Sequence, residues 1–356
     1  MHCVFCYDGH LLGVLYSRQN FILLIKYIIM KEKELSSSLA NTKSLYIICG
    51  KERYLCFQAL ETFKNKLTPN FPDLNFVSVS GENLDANLLF DDLQVCPFGD
   101  PFRVIVVKDF NHKKQINKQF MQKLEQYAEQ KQFTTVLVFF NAGEDVNCFV
   151  KGATVVDCSP LNEFEIGRII DEKLKGSKVT LSSSARLKLI NFSNFNLTKI
   201  IGEIEKLKAY KEEGEVSEQD IEKLVSKDSE YQVFELTQAI ANGDSGKAVE
   251  ILNNLMVKEK SAYSMIIPLY NNFKRALYIS INRSLSDKDL AAYLQIKEFA
   301  VKMLRAQTRV FSAVELKNIT HSLFKLDENI KQGKIKEEVG LISTVLNILM
   351  VRNKNA

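Results

Sequence analysis

The amino-acid sequence predicts an α/β domain followed by all-α domains. Up to residue 160, short apolar segments typical of buried strands alternate with segments whose apolar residues recur at helical spacing. Beyond residue 160 only the helical spacing continues. The chain has 356 residues, more than one hydrophobic core usually supports, so two or three domains are expected. Together these observations predict a doubly wound α/β fold with helical domains after it.

Five segments of the first domain are predicted strands, with helices between them. The third predicted strand is apolar at every position, which is typical of a central strand in a parallel sheet. The predicted strands are residues 45–49, 76–79, 104–107, 135–140 and 155–158. The predicted helices between them are residues 54–67, 84–93 and 117–130.

Pro160 marks a change to helices with no convincing strand. Ser217 and Asp220 fit a capping box at the start of one of these helices. Four helices form a small group: residues 163–174, 182–191, 197–210 and a short one that opens at 217. The rest form a bundle: residues 233–241, 246–258, 262–281, 286–294, 299–309, 312–332 and 337–352.

These patterns divide the chain into four segments. Residues 1–43 are expected to be an N-terminal extension, and the alternative is that this segment is not native. Residues 44–160 form the α/β domain, residues 161–228 a small helical domain, and residues 229–356 a helical bundle.

The first thirty residues are apolar but unlike the rest of the chain. Asp8, Arg18 and Lys26 interrupt them, so no uncharged stretch is long enough to span a bilayer. A basic start and a small-residue cleavage site are both missing, which disfavours a secretory signal. We expect a loosely attached segment or an added helix. The alternative is that the native chain starts at Met30.

Composition excludes few functions but sets the cellular context. Lys and Arg number 47 against 43 Asp and Glu, and a net charge of +4 permits DNA contact without arguing for it. Seven irregularly spaced cysteines are typical of reduced thiols in a cytoplasmic protein. Cys3 and Cys6 form a lone C-x-x-C motif near His2 and His10, but the second ligand pair of a zinc site is missing, so no metal is expected.

The turn after the first predicted strand is where a phosphate-binding loop would lie. Such a loop needs G-x-x-x-x-G-K-[ST], whereas Leu55, Cys56 and Phe57 occupy the places of Gly, Lys and Ser/Thr after Gly50. Lys108, with only Asp109 beyond it, follows the third strand, where a magnesium site needs acidic residues. No cofactor is therefore expected. Asn141 lies where a γ-phosphate sensor could sit, but without a phosphate-binding loop no phosphate is expected near it.

No catalytic residue is predicted. The four histidines share no neighbourhood with a nucleophilic motif, and no spaced carboxylate pair or H-E-x-x-H motif occurs. A polymerase needs metal-binding acidic residues grouped in a cleft, and none are grouped here.

Six short segments, in order along residues 44–350, carry a resemblance. They are residues 46–55, 96–107, 201–207, 233–244, 300–312 and 326–333. With these segments the chain resembles the delta subunit of the bacterial DNA polymerase III clamp loader. The resemblance implies an ATPase-like (AAA+-type) domain with a degenerate nucleotide site, a helical lid and a C-terminal collar that assembles with sister subunits.

The resemblance also implies a function and a site. Delta subunits open the sliding clamp with two adjacent apolar side chains on the segment before the third strand, here residues 94–102. Phe98 falls on the first position and Gly99 on the second, where the apolar side chain is missing. Phe102 or Val95 is the candidate replacement. Pro97 and Pro101 bracket the segment, which favours a protruding Phe98. The alternative is that Phe98 folds back onto its own sheet.

The implied clamp-binding residues are thus Pro97, Phe98, Gly99 and Phe102. The implied partners are the sliding clamp (beta), the gamma/tau and delta-prime subunits, and primed DNA through the assembled loader, with no membrane. The polymerase activity, that of a DNA-directed DNA polymerase, belongs to the holoenzyme. Two alternatives remain: an ATP-binding AAA+ clamp-loader-type ATPase, and a helical adaptor with no role in replication.

Overall fold

The computed structural model describes residues 28–115, 117–258, 261–296 and 298–353. The expectations for the segment before residue 28, including the Cys3 and Cys6 motif, lie outside the described residues. The chain divides into two compact units, Met1–Ile166 and Gly167–Ala356.

A six-stranded sheet forms the centre of the first unit. Its strands lie in the order β1-β6-β2-β5-β4-β3, and all neighbouring strands are parallel. Each of the five predicted strands overlaps one of β2 to β6 and is confirmed. The strands are β1 (Ile28–Lys31), β2 (Leu45–Gly50), β3 (Phe76–Ser80), β4 (Arg103–Lys108), β5 (Thr135–Ala142) and β6 (Thr154–Asp157).

The sixth strand corrects the assignment of residues 28–43 to an extension outside the domain. Strand β1 pairs with β6 along its whole length, and Lys31 forms an ion pair with Asp157 at 2.5 Å. Helix α1 (Glu32–Ser38) follows it and buries Leu35 completely. A strand of four residues at the edge of a sheet shows too little alternation to be found from sequence.

The remaining helices of this unit flank the sheet. Strand β2 is buried at every position, as expected for a parallel sheet covered on both faces. Ile47 packs in the core of one face, whereas the neighbouring Tyr46 contacts Phe63 on the other, with ring centroids 4.8 Å apart. The helices are α2 (Arg53–Leu67), α3 (Pro72–Asn75), α4 (Ala86–Asp92), α5 (His112–Gln115) and α6 (Lys118–Ala128), followed by α7 (Glu163–Leu174), which ends in the second unit.

The second unit begins with a small helical group that also contains two strands. Strands β7 (Val179–Leu181) and β8 (Gly214–Val216) pair in parallel, so the prediction of no strand beyond residue 160 is wrong. Three residues are too few to show a strand period in the sequence. The capping box at Ser217 and Asp220 is confirmed. The helices are α8 (Ser183–Phe192), α9 (Leu197–Tyr210) and α10 (Glu218–Leu224).

A helical bundle completes the second unit around one apolar core. Phe273 and Phe311 are fully buried in it, and Gln307 donates a buried hydrogen bond to Thr237 at 2.9 Å. Its helices are α11 (Ser229–Asn242), α12 (Ser245–Lys258), α13 (Ile266–Ile281), α14 (Asp287–Leu294), α15 (Glu298–Gln307), α16 (Ala313–Lys331) and α17 (Glu337–Asn353). A 3-10 turn, Ala262–Met265, precedes α13. Within the described part of the chain, no helix combines the length and the apolar character needed to cross a membrane.

Candidate functional site

The segment of residues 94–102, here called the 94–102 loop, connects α4 to β4 at the surface. Phe98 is 61% exposed, so it does not fold back onto the sheet. Pro97 is half-buried and Gly99 is exposed. The loop precedes β4, and residues 70–75 precede the neighbouring strand β3. Because β3 and β4 are parallel, both segments lie at the amino-terminal edge of the sheet.

Asn75 fixes the backbone of Phe98 from inside the protein. Its side chain is buried, and its Oδ1 accepts a hydrogen bond from the Phe98 N–H at 2.8 Å. Its Nδ2 donates to the Phe98 carbonyl at 2.8 Å and to Asp100 Oδ2 at 2.7 Å. Since the amide pairs with both backbone groups of Phe98, the ring is presented outward on a fixed backbone.

Asp100 joins the loop to the segment before β3. Its carboxylate accepts hydrogen bonds from the backbone N–H groups of Asn70 at 2.9 Å and Phe71 at 2.8 Å. Desolvation raises the pKa of Asp100, but the hydrogen bonds from Asn70, Phe71 and Asn75 outweigh it and hold the pKa below its usual value. Asp100 is therefore ionised at neutral pH. The side chains of Asn75 and Asp100 together are called the Asn75–Asp100 brace below.

Gly99, the second predicted position, has no room for a side chain. Its φ of +67° is in the left-handed region, and a Cβ atom there would lie 2.6 Å from the Phe71 ring. The Phe71 and Phe98 rings meet edge to face, with centroids 5.2 Å apart. Phe71 is itself 43% exposed. An aromatic ring from another segment thus lies where the missing side chain would be.

The two predicted replacements for that side chain lie elsewhere. Phe102 is half-buried and stacks on Phe133, with ring centroids 5.8 Å apart. Val95 is 47% exposed, and its carbonyl accepts a hydrogen bond from the Thr135 hydroxyl. Phe71 was missed because it precedes Phe98 by 27 residues. The available signal was an aromatic residue directly before a helix-starting proline, Pro72.

The degenerate nucleotide loop lies at the opposite, carboxyl-terminal edge of the sheet, after β2. Gly50 has a φ of +149°, and a Cβ atom there would lie 2.1 Å from the Cys158 carbonyl. The Glu52 N–H donates to that carbonyl at 3.0 Å. The Glu52 carboxylate accepts from the Tyr54 N–H at 3.2 Å, at the start of α2. The protein's own carboxylate thus takes the helix N-terminal position that would suit a phosphate.

The neighbouring polar residues also have structural contacts. Lys51 forms an exposed ion pair with Asp145 at 2.9 Å. Asn141, at the predicted sensor position, exchanges two hydrogen bonds with the backbone of Phe110, at 3.1 and 3.0 Å. Asn141 therefore secures the turn after β4. Among the described residues, no three His, Cys, Asp or Glu side chains are grouped to hold a metal ion.

Comparisons with known proteins identify the relatives of this chain. One family model, "DNA polymerase III, delta subunit", matches residues 46–157, and a second, "DNA polymerase III delta subunit, C-terminal domain", matches residues 230–348. The DNA polymerase III subunit delta of Bacillus subtilis is 24% identical over 330 residues, covering 87% of this chain and 94% of that protein.

A solved structure shares the fold. The Bacillus subtilis DNA clamp loader delta protein superposes with a TM-score of 0.68 at 23% identity, covering 90% of this chain and 99% of that one. The fold therefore defines the class: a parallel α/β domain in which no phosphate-binding motif follows β2, followed by helical domains. Within that class, the chain belongs to the family of DNA polymerase III delta subunits. The resemblance found in the sequence is confirmed.

Proposed function

We propose that this protein is a clamp-loader subunit that binds the sliding clamp and opens it for loading onto primed DNA. The supporting observation is Phe98, an exposed aromatic side chain on a loop that the Asn75–Asp100 brace holds at the surface. An exposed aromatic residue with a fixed backbone loses little entropy on binding, which suits it as an interface anchor. The name of the structural relative, a clamp loader delta protein, points to the same function.

The wider proposal concerns the partners. We infer that residues 229–356 assemble with the gamma/tau and delta-prime subunits. The assembled loader then binds primed DNA in the cytoplasm. The protein supplies no active site of its own, and the polymerase chemistry belongs to other subunits of the holoenzyme. The energy for opening the clamp comes from contact with the apolar anchor.

The alternative function, an ATP-binding clamp-loader-type ATPase, is disfavoured by the loop after β2. The Glu52 carboxylate at the start of α2 would repel a phosphate group. The Glu52 N–H already donates to Cys158, so it is not available to a nucleotide.

The first prediction tests Phe98 directly. Full-length protein should bind the purified sliding clamp without ATP, and Phe98→Ala should weaken binding by about 2 kcal/mol or more, roughly 30-fold in Kd. Binding is measured by surface plasmon resonance on immobilised clamp. A second readout is the fluorescence of a clamp labelled on both sides of one subunit interface, which separates opening from binding.

The matched control is Phe57→Ala. Phe57 is 47% exposed and contacts Phe140 with ring centroids 5.2 Å apart. Like Phe98, it is an exposed ring packed against a second ring, but it lies outside the 94–102 loop. This variant should bind as the wild type does. Equal affinity of Phe98→Ala and wild type, with both folded by circular dichroism, would remove Phe98 from the clamp interface.

A further inference from the structure

We infer that Phe71 supplies the second apolar side chain of the clamp-binding wedge, so that the wedge is a pair of rings from two different segments. The inference rests on the proposed function and names the residue that takes the place left open by Gly99. It differs from the sequence-based expectation that Phe102 or Val95 takes that place.

The geometry at Gly99 carries the inference. A Cβ atom on Gly99 would lie 2.6 and 2.8 Å from two carbon atoms of the Phe71 ring. The ring therefore fills the volume into which a side chain at position 99 would project. Any residue with a side chain there would have to displace Phe71, and the positive φ also disfavours it.

The two rings present one apolar surface. Their centroids are 5.2 Å apart in an edge-to-face contact, which is a favourable arrangement for an aromatic pair. Phe98 remains 61% exposed and Phe71 43% exposed. The contact between them therefore leaves a large part of each ring facing solvent.

One set of polar side chains holds the backbone of both aromatic residues. Asn75 bonds to both backbone groups of Phe98, and Asp100 accepts from the backbone N–H of Phe71. Asn75 also donates to Asp100, which links the two segments. The backbones that carry both rings are thus held before a partner arrives, which lowers the entropy cost of binding.

The occupant of this surface is the sliding clamp. The chain belongs to the delta subunit family, and the sequence resemblance implies that the clamp-binding position of that family falls on Phe98 in the 94–102 loop. The Phe71 ring is in direct contact with that side chain, so a pocket that receives Phe98 also meets Phe71.

The test compares three single variants of the full-length protein in the same clamp-binding assay. Phe71→Ala should raise the Kd for purified clamp about tenfold or more, Phe98→Ala should also weaken binding, and Phe57→Ala should not. If Phe98→Ala weakens binding and Phe71→Ala does not, the inference fails while the proposed function stands. If neither variant weakens binding, the proposed function fails as well.

A second measurement separates contact from support of Phe98. The photoreactive amino acid p-benzoylphenylalanine is placed at position 71 of the full-length chain, and at position 57 as the control. Irradiation with purified clamp should crosslink the chain labelled at position 71 and not the one labelled at position 57. Weakened binding by Phe71→Ala with no crosslink from position 71 would overturn the inference, because the ring would then only support Phe98.

Discussion

Asp100 is the residue on which the arrangement of both rings depends. It accepts from two backbone N–H groups of the segment before β3 and from the Asn75 side chain. The 94–102 loop and the segment before β3 are distant in sequence. These hydrogen bonds join them, and the Asn70 side chain adds another by donating to the Gly99 carbonyl. The exposed Phe98 was predicted from the sequence, whereas the hydrogen bonds of this carboxylate were not.

The pKa of Asp100 gives a prediction for pH dependence. A pKa held below the usual value stabilises the folded state above the unfolded pKa of about 3.9, and this stabilisation is lost as pH falls through the folded pKa. Asp100→Asn should therefore lower the urea midpoint and weaken clamp binding. Each of these two effects should stay constant between pH 5 and pH 8. Below pH 4, the difference from wild type should shrink as the wild-type carboxylate becomes protonated.

Asp73→Asn is the control, because Asp73 is an exposed carboxylate in α3 outside the brace. Its urea midpoint should stay close to that of the wild type. A difference between Asp100→Asn and wild type that changes from pH 5 to pH 8 would mean that another group titrates with the loop.

At the scale of elements, β1 and α1 complete one edge of the sheet. Strand β6 is buried, and β1 covers the side that would otherwise be an open edge. Leu35 in α1 is completely buried and Leu39 is 7% exposed, so both belong to the core of the first unit. These residues are structural parts of the α/β domain.

Removing these two elements gives a prediction about stability. A chain that starts at residue 44 should have a free energy of unfolding roughly 3 kcal/mol or more below that of a chain that starts at residue 28, because two buried leucines and a strand pairing are lost. Urea denaturation followed by circular dichroism measures the difference. Equal midpoints for the two chains would show that β1 and α1 add nothing to the stability of the domain.

Helical elements were easier to predict than short strands. Long helices such as α16 repeat their apolar residues over several turns, so their period is visible in the sequence. Strands β7 and β8 have three residues each and hydrogen-bond mainly to each other. Their formation depends on the helices that bring them together, which no local pattern records.

At the scale of the whole molecule, two features lie at opposite edges of one sheet. The degenerate nucleotide loop follows the carboxyl end of β2, and the paired rings precede the amino ends of β3 and β4. Ligands of open α/β sheets usually bind at the carboxyl edge. Here the loop after β2 at that edge is filled by contacts within the chain, and the exposed aromatic pair is at the other edge.

This arrangement predicts that the isolated protein binds the clamp without nucleotide. Full-length protein should show no saturable binding of radiolabelled ATP at micromolar concentration with Mg²⁺, and its affinity for the clamp should be the same with and without ATP. A sister loader ATPase serves as the positive control in the same filter-binding assay. Saturable micromolar binding would contradict the assignment of Glu52 as the group that fills the phosphate position.

The sequence by itself determined the alternation of strands and helices, the loss of the phosphate-binding loop and the position of Phe98. Each of these depends on residues close together in the chain. Only the tertiary structure decided that β1 joins the sheet and that Phe71 lies against Phe98.

The physical reason is the strand order. Phe71 and Phe98 meet because β3 and β4 are neighbouring parallel strands, which brings the segments before them to the same edge. If β3 and β4 were not neighbours, or if the Phe71 ring were absent from the clamp interface, the paired wedge would not exist.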